Sequence, residues 1–345
     1  MNDFQKAAVA PQTAMLGLIS GFQVSRALFV AARLGLADLV ANGSRSCAEL
    51  AAATGTDASA LRRIVRLLAA AGVFDLDSDD RVACTPVGAT LRSEAPQSLR
   101  GWAIGQLGDH THRAWGDVLH SVRTGGIAFD HAFGVDVWRY RAEHPDAARD
   151  FDEAMVSYVA THNAAVIATG AFRASGRIID VAGGEGALLL AILGANERAS
   201  GALFERPHVA RKAERRIAAS PHGARCTVVE GDALKGVPGG GDTYVLSRVI
   251  HDWDDERAAS ILANCRRAMA PGARLVLVER VLPERIEASL ATQLIATSDV
   301  HMMVMNGGRE RTEREYRQLM EAGGFRFVRR LPTGTAMEVL EGEAW

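Results

Sequence analysis

Several function classes are set aside by what the 345-residue chain lacks. Only four cysteines occur, Cys47, Cys84, Cys226 and Cys265, and none stands at C-x-x-C spacing. They read as reduced thiols, which argues against a disulfide framework or a zinc module. A dominant charge is missing as well: 39 basic residues face 41 acidic ones, for a formal net charge of −2. Such a balance gives no electrostatic attraction to nucleic acid or an anionic membrane. Asp3 and Lys6 precede a stretch that Pro11, Gln12 and Thr13 interrupt, so no secretory signal is legible. No apolar run approaches the roughly 20 residues of a membrane helix, and repeats and low-complexity tracts are absent. The expectation is a cytoplasmic globular protein, long enough for two domains, with no nucleic-acid and no membrane partner.

What is present divides by pattern. Residues 1–100 read as helical. From Leu16 to Val40 the text is almost uninterruptedly apolar and predicts helices buried on most sides, which in so small a domain calls for a partner surface. Ser46 and Glu49 form a capping box for a short helix. Asp57 caps a second, with Leu61, Ile64, Val65 and Leu68 on one face and Gly72 at its end. Two short strands follow around the polar tip Asp77 to Asp80. Helix, helix, hairpin is a winged-helix order, and Arg62, Arg63 and Arg66 lie off the apolar face. The aspartates of the tip would repel phosphate, which favours a dimerisation or lid role over DNA binding. Residues 101–175 read as a helical connector rich in aromatics. From 176 to 345 strands and helices alternate. Strands are expected at 177–182, 201–205, 225–230, 242–248 and 273–280, then near 325–331 and 335–341. Helices are expected at 184–195, 207–219, 254–270, 288–304 and 312–322. Repeated βα units imply an α/β fold, doubly wound around a mostly parallel sheet, with ligands at the strands' carboxyl ends.

Two runs carry chemistry. Asp180 to Gly186 closes a strand with a turn that only small residues fit, Gly183, Gly184 and Gly186 permitting close backbone approach. The order is not that of a dinucleotide site, Glu185 would oppose a pyrophosphate, and a P-loop lysine is missing. An uncharged or cationic nucleoside fits better. Glu205, ending the next strand, can accept from both ribose hydroxyls, and Asp232, after Gly231, from an adenine amine. Three acidic strand ends around a glycine turn match S-adenosylmethionine, whose sulfonium is positive, although each acid alone is also an ordinary turn or cap residue. The second run, Val245 to Asp255, is an apolar strand ending in His251-Asp252-Trp253. Its histidine is either a structural residue or a base. His110 and His112 form an H-x-H pair, but no third ligand is evident, so a surface or pocket role is expected and no metal.

In order along the chain, Asp180 to Gly186, Phe204 to Val209, Gly231-Asp232, His251 to Asp255, Glu279 and Gly307 to Thr312 resemble the small-molecule O-methyltransferases that use S-adenosylmethionine. That family includes plant caffeate and flavonoid, hydroxyindole and bacterial antibiotic-tailoring enzymes. The likeness spans nearly the whole chain. It implies a Rossmann-like methyltransferase core behind an N-terminal winged-helix dimerisation domain, and so a homodimer. It also implies His251 as general base, flanked by Glu279 and Glu310, acting on a phenolic or enolic hydroxyl of a small, polyketide-like secondary metabolite. A phenol with a pKa of about 10 must lose its proton as its oxygen attacks the methyl group. By the same resemblance the cofactor lies against Asp180, Gly183, Gly184, Gly186, Glu205, Arg206, Gly231, Asp232, Ala233, Ser247 and Arg248, and leaves as S-adenosylhomocysteine. The acceptor faces Asp252, Met155, Tyr158, His162, Asn163, Asp299, Met302, Met303 and Asn306. The methionines are as readily core as pocket, and Asp252 is as readily the cap of the following helix. Ala182 replaces a family glycine, Glu205-Arg206 an Asp-Leu pair, and Ser247 a plant lysine, none of which removes a catalytic group. The alternatives are N- or C-methylation, a non-methylating use of the cofactor, a DNA-binding regulator built on the winged helix, and a catalytically silent scaffold.

Overall fold

The computed structural model describes residues 10–160 and 162–345. Asp3 and Lys6, on which the absence of a signal was read, lie outside the described residues. The chain forms two compact units. One runs to His112 and includes His144–Tyr158; the other joins Arg113–Glu143 to Val159–Trp345. The expected connector, 101–175, is thus shared between them.

The first unit opens on the helix Pro11–Leu34, ended by Gly35 at φ 66°. Proline is tolerated in a first turn, where its missing N–H would have no partner, so Pro11 to Thr13 begin a helix where an interruption was expected. At 24 residues this helix is long and apolar enough to cross a membrane, which corrects the expectation that no segment is. Ala27, Ala31 and Ala32 join Leu50, Leu61, Val65 and Leu68 in the unit's core. Met15, Leu16, Leu18, Ile19 and Phe22, near the other end, are exposed. The capping box of Ser46 and Glu49 and the Asp57 cap both form. Arg45–Ser46, Phe74–Leu76 and Arg81–Cys84 make a small antiparallel sheet, and Arg62 is tied to Asp80 at its tip, 2.5 Å away.

The second unit is built on seven strands: β1 (Arg177–Val181), β2 (Ser200–Glu205), β3 (Cys226–Glu230), β4 (Thr243–Ser247), β5 (Arg274–Glu279), β6 (Phe325–Pro332) and β7 (Glu338–Ala344). Their order is β6-β7-β5-β4-β1-β2-β3, and β7 alone runs against its neighbours. The order reverses between β1 and β4, which places the carboxyl ends bearing Asp180 and Ser247 side by side. Near-continuous apolar runs in the central strands answer to burial on both faces: Ile178, Ile179, Val245, Leu246, Leu275 and Leu277 are all fully buried. Beyond β5, Val281–Leu282 pairs in parallel with Arg311–Thr312, so that Arg311 lies opposite Val281. That short ladder brings the segment around Glu310 alongside the end of β5.

The largest boundary differences from expectation lie at the glycine turn and in the last strand. The helix after β1 starts at Ala187, because Gly184 (φ 62°) and Gly186 (φ 77°) hold a left-handed turn that a helix cannot include. The last strand starts at Glu338, about three residues late, after Thr333, Thr335 and Met337 close a hydrogen-bonded turn.

Candidate active site

The carboxyl ends of β1, β2 and β3 converge on the glycine turn. Asp180 is fully buried, and neither of its carboxylate oxygens has a hydrogen-bond partner among the described residues. Burial, and then the charge of Glu205, push its pKa up to about 7. A Cβ on Gly183 would overlap that carboxylate, so glycine is required there. Glu205 accepts from the N–H of Gly184 at 3.1 Å and of Arg206 at 2.5 Å, which ties β2 to the turn. Its pKa is raised by burial, against the pull of those two N–H groups. Glu185 pairs with Arg216 at 3.2 Å. Gly231 sits against the Phe204 ring with no room for a Cβ. Asp232 accepts from the Leu234 N–H at 3.0 Å, and the Ala233 carbonyl accepts from Asn264. Ser247 ends β4, and Arg248, at φ 59°, donates its N–H to the Val278 carbonyl. An orphaned acid beside a left-handed glycine turn needs a cation and would repel a pyrophosphate. The residues present therefore fit a cationic nucleoside such as S-adenosylmethionine.

Past β4 the chain makes one 3-10 turn, Ile250–Asp252, that carries His251. The histidine is 2% exposed. Its Nδ1 lies 3.0 Å from Glu279 Oε2 and 3.7 Å from Glu310 Oε1, and its Nε2 lies 3.6 Å from Asp252 Oδ1. The Glu279 separation is an ion-pair distance without hydrogen-bond alignment. Burial works against the imidazolium, but Glu279 and Glu310, then Asp252, outweigh it and raise the histidine's pKa. Glu279 also accepts from the N–H groups of Val249 and Ile250 at 3.0 and 2.9 Å, fixing the backbone that presents the ring. The donor atoms of His251, Glu279 and Glu310 lie within 4.8 Å of one another, close enough to hold a metal ion. Arg280, however, already places a guanidinium nitrogen 3.1 Å from Glu310 Oε1. A protein cation thus stands where a metal's charge would be needed. Among the described residues no other such group occurs, so His110 and His112 belong to none.

The remaining residues implied for the acceptor fall into separate places. Asn306 donates to Asp252 Oδ1 at 2.9 Å, and its amide also lies 3.9 Å from the Met302 sulfur. Asp252 does not cap the following helix; Asp254 does. Asp299 accepts the Glu310 N–H at 2.9 Å and so holds the segment beside His251. His162 stands just before the helix Asn163–Ala168. Its pKa falls to about 4, through burial first and then the charges of Arg280 and Arg248. Met303 packs against the apolar cluster of Phe129, Val137, Val304 and Met305. Met155 and Tyr158 belong to the first unit, where Tyr158 stacks on Trp102 at 4.2 Å.

Three residues near His251 escape sequence reasoning. Arg311, 1% exposed, donates to the carbonyls of Ile250 and Trp253 and to Asp255, clamping the segment that bears His251. Gly308 has no room for a Cβ against the His251 carbonyl, which accepts the Arg309 N–H at 2.8 Å. Arg280 follows Glu279 directly and is buried. An arginine inside an otherwise apolar strand end was the available signal.

Comparison with known proteins identifies the family. A family model described as an O-methyltransferase domain matches residues 115–326, and one described as an O-methyltransferase dimerisation domain matches residues 16–94. A phenazine O-methyltransferase of Lysobacter antibioticus is 42% identical over 99% of this chain and 99% of its own. A phenazine-1-carboxylate N-methyltransferase of Pseudomonas aeruginosa is 37% identical over 94% of this chain and 96% of its own. A solved O-methyltransferase of neocarzinostatin biosynthesis, in complex with S-adenosylmethionine and 2-hydroxy-5-methyl naphthoic acid, superposes with a TM-score of 0.82 at 30% identity, covering 98% of this chain and all of its own. The chain belongs to the family of S-adenosylmethionine-dependent small-molecule O-methyltransferases.

Proposed function

We propose that this enzyme methylates a phenolic or enolic hydroxyl of a small aromatic secondary metabolite, with His251 as the general base. The observation that carries the reading is the buried imidazole with two carboxylates on its Nδ1 side. Their charge favours the proton on Nδ1 and leaves the Nε2 lone pair to take the acceptor's proton. When bound, the cofactor supplies an electrophilic methyl group on its sulfonium. Nε2 would take the acceptor's O–H proton as that oxygen turns nucleophile toward the methyl group a bound cofactor would supply. Placing oxygen and methyl in line is the remaining task, and Asp252, held by Asn306, is positioned to orient the hydroxyl. Before transfer, Glu279 and Glu310 exceed Arg280 by one negative charge; the imidazolium that forms cancels it. Asp180, Glu205 and Asp232, with the glycines of the turn, Arg206, Ala233, Ser247 and Arg248, are assigned to the cofactor.

We assign a homodimer assembled through the N-terminal unit, supported by the dimerisation-domain match and the exposed apolar end of Pro11–Leu34. Four free thiols fit a reducing cytoplasm. The test is incubation with methyl-labelled cofactor and a panel of phenols and arylamines, read by mass spectrometry. Label on a phenolic oxygen, lost by about 10²–10⁴-fold in His251→Ala, is the expected outcome. Label on nitrogen alone, as the Pseudomonas relative's name states for that protein, overturns the oxygen reading. Unchanged transfer by His251→Ala overturns the base.

A further inference from the structure

We infer that Arg280, braced by Ser298, is a positioning residue that sets the basicity of His251 by neutralising Glu310. The Arg280 guanidinium reaches Ser298 Oγ at 2.8 Å and Glu310 Oε1 at 3.1 Å, and the Ser298 hydroxyl donates to the same Glu310 oxygen at 2.7 Å. One oxygen of Glu310 therefore carries two donors, and its N–H is held by Asp299. Arg280 and Glu310 are both almost fully buried, 6% and 1% exposed, so neither is screened by water.

The need for such a device follows from the charges around the base. A histidine between two buried, uncompensated carboxylates keeps its proton at neutral pH and cannot accept another. With Glu310 matched by Arg280, Glu279 is left as the immediate counter-ion, enough to stabilise the imidazolium without trapping it. The other groups around the ring are accounted for. Asp252 and Arg248 come from the ring's own segment, and Arg248 offsets Asp252. Arg311 is held by Asp255. Tyr316, from the helix Glu313–Ala322, is buried with its pKa raised well above the usual value and stays neutral. Burial and the neighbouring arginines keep His162 neutral as well. Arg280 is thus the cation matched to the second carboxylate on the Nδ1 side of the ring.

The inference rests on His251 being the base, and the experiment separates the two. Imidazole titration of the whole enzyme by NMR, with His251→Ala assigning the resonance, reads the ring's pKa whatever the reaction. In Arg280→Met that pKa is expected to rise by a unit or more. The acid limb of the rate profile should follow, with about a tenfold loss of kcat per unit below the limb and little change in KM. Arg280→Lys should restore most of the wild-type value. The double variant Arg280→Met/Glu310→Gln, which removes both charges, should return the pKa toward wild type. Ser298→Ala, a milder change, should raise it by a few tenths. An unmoved His251 pKa in both Arg280→Met and Ser298→Ala overturns the inference. A pKa that rises without a shift in the rate profile upholds the clamp and overturns the base.

Discussion

At His251 two effects oppose one another: burial disfavours the charged ring, and Glu279, Glu310 and Asp252 favour it, with the carboxylates prevailing. In the proposed mechanism His251 must be neutral, so activity should fall as pH drops through a value above 6.5, the ordinary imidazole pKa. The same shift bears on stability. The ring's contribution is complete below 6.5 and is lost as pH rises through the raised folded-state value. Asp180 makes the complementary case. Its folded pKa, raised from 3.8 to about 7, means the ligand-free protein loses stability as pH rises across that interval. A cationic cofactor should reverse this by ionising the acid. Calorimetry in buffers of different protonation enthalpy should then show proton release on S-adenosylmethionine binding near pH 7. Asp180→Asn should abolish that release, weaken binding and raise the Tm of the ligand-free protein at pH 8. Proton release unchanged in Asp180→Asn would remove the carboxylate from this role. Asp180, Glu205 and His251 could be singled out as candidates in the sequence because each ends a strand or follows one closely, and Glu279 through the family resemblance. Arg280, Ser298 and Arg311 could not, since their partners lie 12 to 61 residues away and are set by packing alone.

Elements hold the base as firmly as its neighbours do. The short parallel ladder of Val281–Leu282 with Arg311–Thr312 brings Gly308, Glu310 and Arg311 against the turn that bears His251. A two-residue strand has almost no sequence signature, so this ladder was invisible beforehand, whereas β1 to β5 were legible from apolar runs bounded by turn residues. Function nevertheless depends on the ladder. In Gly308→Ala the new methyl meets backbone at His251 and Asp252, which cannot swing aside as a side chain would. The segment must shift, and an ångström at the base costs on the order of 10²-fold in rate. The expected result is a large loss of kcat with the cofactor's Kd nearly unchanged. Loss of cofactor binding as well would show that the substitution unfolds the unit rather than displacing the base. Arg311→Met removes one donor each from the Ile250 and Trp253 carbonyls and the guanidinium from Asp255 Oδ1; a lowered Tm, by several degrees, is expected from the loss of these charge-assisted bonds.

For the molecule as a whole, the helix Pro11–Leu34 presents two physical alternatives. Met15, Leu18, Ile19 and Phe22 recur at the spacing of one helical face, all exposed. An exposed apolar face of this kind marks a binding surface, and the helix's length and composition would also suit a lipid bilayer. The same helix contributes Ala27, Ala31 and Ala32 to its unit's core and bears Arg26 and Arg33, whose guanidinium groups engage Asp109 and Asp150 within that unit. Burial of one end of the helix in its unit's core supports the proposed homodimer, with a second copy of the chain on the exposed end. Replacing Ile19 and Phe22 together by glutamate should convert the dimer to a monomer in light scattering, while the Tm of the methyltransferase unit changes little. Phase separation in a mild detergent should leave the wild-type protein in the aqueous layer. A double variant that remains dimeric would move the interface elsewhere, and partition into detergent would return the helix to the membrane.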